Sequence, residues 1–273
     1  MKNLKKQLIG LLLSLFIINA CKTEISEIEI PYENRLVVVS FISPQDTVLS
    51  VRVTNTQPIS GQTDNRNILV ENAKVQISNG PKTVLLKYDK DGYYRIIAKE
   101  LPINIGTVCT LKVSVPNGLS TEGTCTIPTQ IIKSEDIITE VSAVSNGQVE
   151  FRVKWKDFPN QVNYYGIRGA YETESPKCNY NLPYLITDKS NDGQLLVWGG
   201  NSAIICVGNG NPNFIVILSS YDSNGSQFFS TSLEQKSVSG VPFTDPVLVY
   251  SNMKGTYGVF SAYNQTRIVL KMF

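Results

Sequence analysis

The chain has 273 residues, 25 Lys plus Arg against 23 Asp plus Glu, and a formal net charge of +2. That balance gives no electrostatic case for nucleic acid as a partner. Histidine is absent altogether, which removes Ser-His-Asp and Cys-His nucleophile systems and the commonest transition-metal ligand.

Lys2, Lys5 and Lys6 precede an apolar run, Leu8 to Ile18, broken only by Gly10 and Ser14 and followed by Asn19-Ala20-Cys21. The run is too short to cross a bilayer as a helix, which takes about 20 apolar residues. A basic start and a small residue before the cysteine read as an export signal. The segment resembles a bacterial lipoprotein signal: Ile18 and Ala20 match the usual pattern and Asn19 departs from it. The resemblance implies that residues 1–20 are removed and that Cys21 becomes a lipid-modified terminus. The other reading is an ordinary cleaved signal with a chance cysteine. Two or more acyl chains anchor stably where one does so only marginally. Without Lys2, Lys5 and Lys6 the balance becomes 22 basic against 23 acidic residues. About 250 remaining residues suit one large or two ordinary domains. Residues 21–34 are acidic and read as a lipid-anchored tether. Lys22 and Glu24 loosely resemble a surface-export signal, and a plain flexible linker is an equal reading.

From Arg35 the chain reads as strand after strand. Leu36 to Ile42 is apolar and rich in valine; Thr47 to Thr54 and Val70 to Ile77 follow. Thr83 to Tyr88 and Tyr93 to Ile97 flank Asp89-Lys-Asp-Gly92, a hairpin signal. A calcium loop is the rival reading of that tetrapeptide, but the residues after it lack the further oxygen ligands such a loop needs. Val108 to Val115 and Thr121 to Ile127 flank Pro116-Asn-Gly118. Around Pro128 the pattern pauses, and polar residues open a second set.

That second set starts with Ile137 to Ser145 and Val149 to Trp155 around Asn146-Gly147, a strong hairpin signal. Tyr164 to Tyr171 is the next strand, and 173–194 is polar and loop-like. Leu195 to Trp198 and Ala203 to Val207 read as short strands. Phe214 to Tyr221 and Gln227 to Leu233 flank Asp222-Ser-Asn-Gly225, which reads as another hairpin. Pro246 to Tyr250, Tyr257 to Tyr263 and Ile268 to Met272 close the chain. Short strands with turn chemistry every 8–12 residues or so predict an all-β fold. The expectation is an immunoglobulin- or prealbumin-like β-sandwich over 35–129, then a second β-sandwich or barrel-like domain over 130–273.

Four cysteines follow Cys21, and an even number in an exported chain is first read as disulfides. If the Pro116–Gly118 hairpin centres on Asn117, Cys109 faces Cys125 at about 4.5–5.5 Å between Cα atoms, within disulfide range. Two buried free thiols are the rival reading. Parity alone pairs Cys178 with Cys206. Zinc ligation would need paired short spacings, and these four are 16, 53 and 28 apart. No phosphate loop, catalytic set, cofactor motif or metal site emerges. The expected activity is binding, not catalysis. Tyrosine, tryptophan and asparagine suit sugar faces and peptide grooves. The candidate patch is Tyr180, Tyr184, Trp198, Asn201, Asn209, Asn211 and Asn213, in the loop-rich region.

Several stretches resemble the DUF4249 lipoproteins of Bacteroidetes. They are Arg35-Leu-Val-Val-Val-Ser-Phe-Ile, Val70-Glu-Asn-Ala-Lys-Val-Gln-Ile with Asp91-Gly-Tyr-Tyr, Gly106-Thr-Val-Cys-Thr-Leu-Lys-Val-Ser-Val, and Pro246-Val-Leu-Val-Tyr-Ser-Asn-Met-Lys-Gly-Thr-Tyr-Gly-Val-Phe-Ser-Ala-Tyr. The last is the most specific. The family has no catalytic residues to carry over. The resemblance implies an outer-membrane lipoprotein encoded beside TonB-dependent β-barrel receptors and serving one as a binding or accessory subunit. A structural or assembly lipoprotein that binds another envelope protein and no small ligand is the alternative. Cell surface and periplasmic face both stand. Replacing Cys21 with Ser is expected to abolish labelling by a palmitate analogue and to release the protein from membranes; unchanged labelling would refute lipidation.

Overall fold

The computed structural model describes residues 33–57, 68–144, 148–171, 184–188, 190–206, 214–241 and 244–270. Its first strands follow directly from two-residue alternation. β1 (Leu36–Ile42) buries Leu36, Val38, Ser40 and Ile42, and β2 (Val48–Asn55) buries Leu49, Val51 and Val53. Every second side chain points to the same face, so a valine-rich alternating run can fill a core from one side only. β3 (Lys74–Ser78), β4 (Thr83–Tyr88), β5 (Tyr93–Ile97), β6 (Val108–Ser114) and β7 (Ser120–Thr126) repeat the pattern. Asp91 and Gly92 turn the β4–β5 hairpin with φ of 54° and 77°. The Asp89 carboxylate is taken by the Arg95 guanidinium across that hairpin, so the tetrapeptide is a turn.

The second half adds β8 (Ile137–Val144), β9 (Gln148–Lys156), β10 (Tyr164–Tyr171), β11 (Tyr184–Thr187), β12 (Leu195–Cys206), β13 (Phe214–Tyr221) and β14 (Tyr257–Leu270). One continuous order runs β11-β10-β13-β14-β1-β2-β5-β4-β3-β6-β7, and β12-β9-β8 form a separate sheet. β14 joins the two halves. Its first part lies parallel to β1, Val37 opposite Tyr257 through Ile42 opposite Ala262, and its second part runs antiparallel to β13.

Two cores result. The first takes side chains from β1 to β7, from Leu36 to Ile127, with Met253, Phe260 and Ala262 added from the C-terminal end. The β14-β1-β2-β5 and β4-β3-β6-β7 groups face each other across it. The second takes Ile132, Ile137, Phe151, Val153, Trp155, Tyr165, Ile167, Leu196, Val216, Leu218 and Leu270. It lies between the β12-β9-β8 sheet and the β11-β10-β13-β14 group. The fold is all-β apart from one α-helix among the described residues, and each core is a sandwich of two sheet layers.

That helix, α1 (Ser223–Val238), replaces the hairpin and strand expected over Asp222 to Leu233. Asp222 caps it, accepting from Gly225 N at 2.9 Å, and the same carboxylate accepts from Ser261 Oγ at 2.7 Å and Ala262 N at 3.2 Å. An Asp three residues before a Gly serves a turn and a helix N-cap equally well. The tertiary partners on β14 decide. A Cβ on Gly225 would collide with Ser261, so only glycine lets the first turn sit on β14. Phe228 and Phe229 then pack on Phe41, with centroids 6.0 and 5.0 Å away. Elsewhere, 246–250 forms no strand, and the two short strands expected around Gly199 are one strand, β12, with a register shift between Gly199 and Ile204.

Cys109 and Cys125 stand directly opposite each other in the β6–β7 register, as the hairpin arithmetic places them. Both are buried, and the structure shows them as free thiols with no bond between the sulfurs. Burial pushes the Cys125 thiol well above the ordinary range, while the hydrogen bond between the two lowers the Cys109 thiol; it is the burial of both sulfurs, at 0% and 2% exposure, that shields them from reagents. Under reducing conditions iodoacetamide is therefore expected to leave both unmodified in the folded protein and to alkylate both after denaturation. Labelling of either in the native state would contradict the packing. Asp222→Ala removes the helix cap and strands two donors on β14. It is expected to cost about 2 kcal/mol or more in urea denaturation, with Asp222→Asn costing less because it keeps one acceptor oxygen.

Candidate functional site

Trp198 is the one member of the expected loop patch whose side chain is described. It packs against the second core, its ring 5.4 Å from that of Phe151. Tyr184 opens β11 and Asn201 lies within β12. Tyr180, Asn209, Asn211 and Asn213 lie outside the described residues, as do Cys21 and Cys178; Cys206 ends β12.

The outer face of the β12-β9-β8 sheet carries a different patch. β9 turns Phe151, Val153 and Trp155 inward and Arg152, Lys154 and Lys156 outward. Register then sets the rows. Val197 and Ile138 flank Lys154, Leu195 lies opposite Lys156, and Gly199 and Glu140 flank Arg152. Ile138, Leu195 and Val197 are 55%, 55% and 52% exposed. Lys154 bonds the Glu140 carboxylate across the strands. The face is thus charged and apolar at once, and the β-strand period imposes it: the same alternation that buries Trp155 exposes its neighbours.

Two concave features are weaker candidates. A cleft of about 430 Å³ is lined by Lys74, Lys112, Glu122 and Lys254. Lys112 and Lys254 reach the Glu122 carboxylate at 3.0 and 3.3 Å and hold it below the usual carboxylate range. Such exposed pairs contribute little and compensate one another. A cavity of about 190 Å³, lined by Gln130, Phe158, Asn163, Tyr221 and Asp222 among others, falls short of the ~300–1,000 Å³ usual for small-molecule sites.

Asn163, beside that cavity, also organises a cluster that sequence reading missed. Asp157 follows β9, Asp188 follows β11, and Asp192 lies in the turn before β12. One oxygen from each falls within 4.8 Å of the others. Asp157 and Asp188 are only 2% and 1% exposed. The Asn163 amide donates to Asp157 Oδ1 and Asp188 Oδ2, each at 3.1 Å, and its backbone N donates to Asp188 Oδ2 at 2.9 Å. Tyr165 Oη donates to Asp157 Oδ1 at 2.6 Å, and Gly193 N to Asp157 Oδ2 at 2.8 Å. The exposed Asp192 accepts from Asn160 N at 2.9 Å. Burial raises the Asp188 carboxyl above its ordinary range, with the neighbouring Asp157 charge adding to the effect. At an effective dielectric of 20, two carboxylates at that separation repel by roughly 3.5 kcal/mol. Among the described residues no lysine or arginine forms an ion pair with any of the three; Lys189 lies outside them. Asp157, Asp188 and Asp192 are 31 and 4 residues apart and each sits in ordinary turn sequence, so only their convergence at one end of the second sandwich reveals them.

No curated protein matches the chain. Among solved structures, a two-domain fibronectin type-III segment of chicken tenascin is similar at 13% identity and a TM-score of 0.23, over 88% of this chain and 100% of that one. A cytokine receptor complex is similar at 11% and 0.23, over 68% and 82%. The FN1-FN3 domains of chicken CNTN1 are similar at 12% and 0.24, over 86% and 69%. The family described as "Domain of unknown function (DUF4249)" matches residues 22–268, and the chain belongs to that family.

Proposed function

We propose that the protein is a lipid-anchored, non-enzymatic binding subunit that serves a TonB-dependent receptor of the outer membrane. The observation that carries the reading is the outer face of the β12-β9-β8 sheet. Aliphatic side chains at Ile138, Leu195 and Val197 stand half-exposed between Arg152, Lys154 and Lys156. Apolar area supplies affinity and like charges supply orientation, so the face fits a protein surface that is apolar and acidic. The concave features are weaker: one is lined almost throughout by polar and charged side chains, the other is small. The lipoprotein-like signal with Cys21 and the receptor neighbourhood implied by the DUF4249 resemblance support the membrane location and the class of partner.

Capture from detergent-solubilised envelopes tests the reading. The intact protein is expected to retain a TonB-dependent β-barrel. The variant Ile138→Ser/Lys154→Glu/Val197→Ser, altered only at outward positions, is expected to lose it while its melting temperature stays within a few degrees of the parent. Retention of the barrel by this variant would remove the face from the interaction. Capture of a different envelope protein by both forms would favour an assembly role.

A further inference from the structure

We infer that Asp157, Asp188 and Asp192 hold a calcium ion at the end of the second sandwich. Three carboxylate oxygens converge within 4.8 Å, and no histidine exists in the chain to offer nitrogen. An all-oxygen set selects a hard cation. Calcium accepts irregular oxygen sets, whereas magnesium demands a near-ideal octahedron, and carboxylates contributed by two separate loops suit the former.

A second observation points the same way. Asp188 Oδ1 is buried and meets no donor; Oδ2 of the same carboxyl is engaged by Asn163, and the carboxyl lies within hydrogen-bonding reach of the Asp157 carboxyl. Buried polar atoms are nearly always satisfied, and an orphan calls for a ligand. A proton shared between Asp157 and Asp188 would ease the repulsion of that pair alone. It would not involve the Asp192 carboxylate, which Asn160 N holds beside the pair at 2.9 Å. A cation satisfies all three carboxylates and the orphan oxygen together. The second shell is in place as well: Asn163, Tyr165, Gly193 and Asn160 each fix one or more carboxylate oxygens by donation, as orienting partners do around protein-bound metals. With one ligand exposed and two loops supplying the set, the affinity expected is that of extracellular modules, with a dissociation constant on the order of 10⁻⁴–10⁻³ M. None of these three carboxylates belongs to the outer face of the β12-β9-β8 sheet.

Terbium, which takes oxygen ligands as calcium does, supplies the readout. Tyr165 touches Asp157 through its hydroxyl, and the Trp155 ring lies 5.5 Å from that of Tyr165, so both can sensitise a bound lanthanide. The purified full-length protein, stripped with EDTA, is expected to show saturable terbium emission on excitation of its aromatic residues. Calcium should displace it and raise the melting temperature, and magnesium should do so far less well. Asp192→Asn, at an exposed position, is expected to fold normally and to weaken terbium binding on the order of tenfold or more. Asp188→Asn separates the two ways of relieving the charge: it destroys a calcium site but mimics a protonated carboxyl. Absence of saturable emission would overturn the proposal. So would emission unchanged by Asp192→Asn, which would put the ion elsewhere, or equal displacement by magnesium. An Asp188→Asn protein as stable as a wild type indifferent to calcium would establish the shared proton instead.

Discussion

Everything else in this fold depends on one strand finding its place between two others that are distant in sequence. β14 completes the first sandwich by lying parallel to β1 and completes the second by running antiparallel to β13. Neither half closes its sheet without it. The approach to β1 is close enough that Gly258, at φ +116°, admits no Cβ, since one would overlap the Val38 backbone. Side chains take over where the ladder of β14 stops. Asn252 donates to Phe260 O at 2.8 Å and accepts from Phe260 N at 2.9 Å, as a neighbouring strand would. Met253 fills the space left by Gly123 on β7, and Thr121 Oγ1 bonds Lys254 O at 3.0 Å. Further along, Asn264 holds the crossing between the two cores by donating to Pro128 O at 2.6 Å and Gln130 O at 3.1 Å.

Such a design places polar side chains inside the protein, and their energetics are two-sided. Asp222 and Asp46 are both pushed up by burial, and hydrogen bonds from Ser261, Ala262, Tyr263 and Ser43 act against that push. A raised folded-state pKa means that the native state gives up its proton less readily than the unfolded chain. The stability contributed is therefore complete below the unfolded carboxyl value and declines as pH rises through the folded one. The hydrogen bonds limit that loss. They also give these residues positional value, because an acceptor with three donors fits one arrangement of β13, α1 and β14 and no other.

The hairpins of the first sandwich were legible because each has a local cause: alternating valines, then Asp-Gly or Asn-Gly, then alternation again. The Cys109–Cys125 register followed from the turn centre alone, whereas their redox state did not, since register places sulfurs and does not oxidise them. Helix α1 was not legible. Its first half, Ser-Asn-Gly-Ser-Gln-Phe-Phe-Ser, shows no helical period, and its cap residue is equally good in a turn. The helix exists because Asp222 and Gly225 meet Ser261 on a strand nearly forty residues later. The length of β14 was hidden in the same way: Asn264, Gln265 and Thr266 look like a break, yet Asn264 and Thr266 face the crossing at Pro128 to Ile132, where their polar groups find carbonyls. The binding patch expected from tyrosine and asparagine content rested on composition and loop placement, and neither says that the Trp198 ring packs against the second core.

The acidic cluster and the outer sheet face are not separate decorations of the second sandwich. Asp192 and Gly193 lead directly into Leu195, the first residue of β12, and Asp157 N donates to Gln194 O at 2.9 Å where β9 ends. Leu195 faces Lys156 in that same register. Whatever balances the three carboxylates therefore also fixes the start of β12, a strand at the edge of a three-stranded sheet. An edge strand has ladder bonds on one side only, so its terminus frays most readily. Tying the 188–194 turn to Asp157 from below orders the strand end on which Leu195 and Val197 are displayed. A surface offered to a protein partner binds more tightly when its side chains are held in place beforehand. Charge balance at the buried end of the sheet and the order of the exposed Leu195 and Val197 side chains then depend on the same few residues at the β9–β12 boundary.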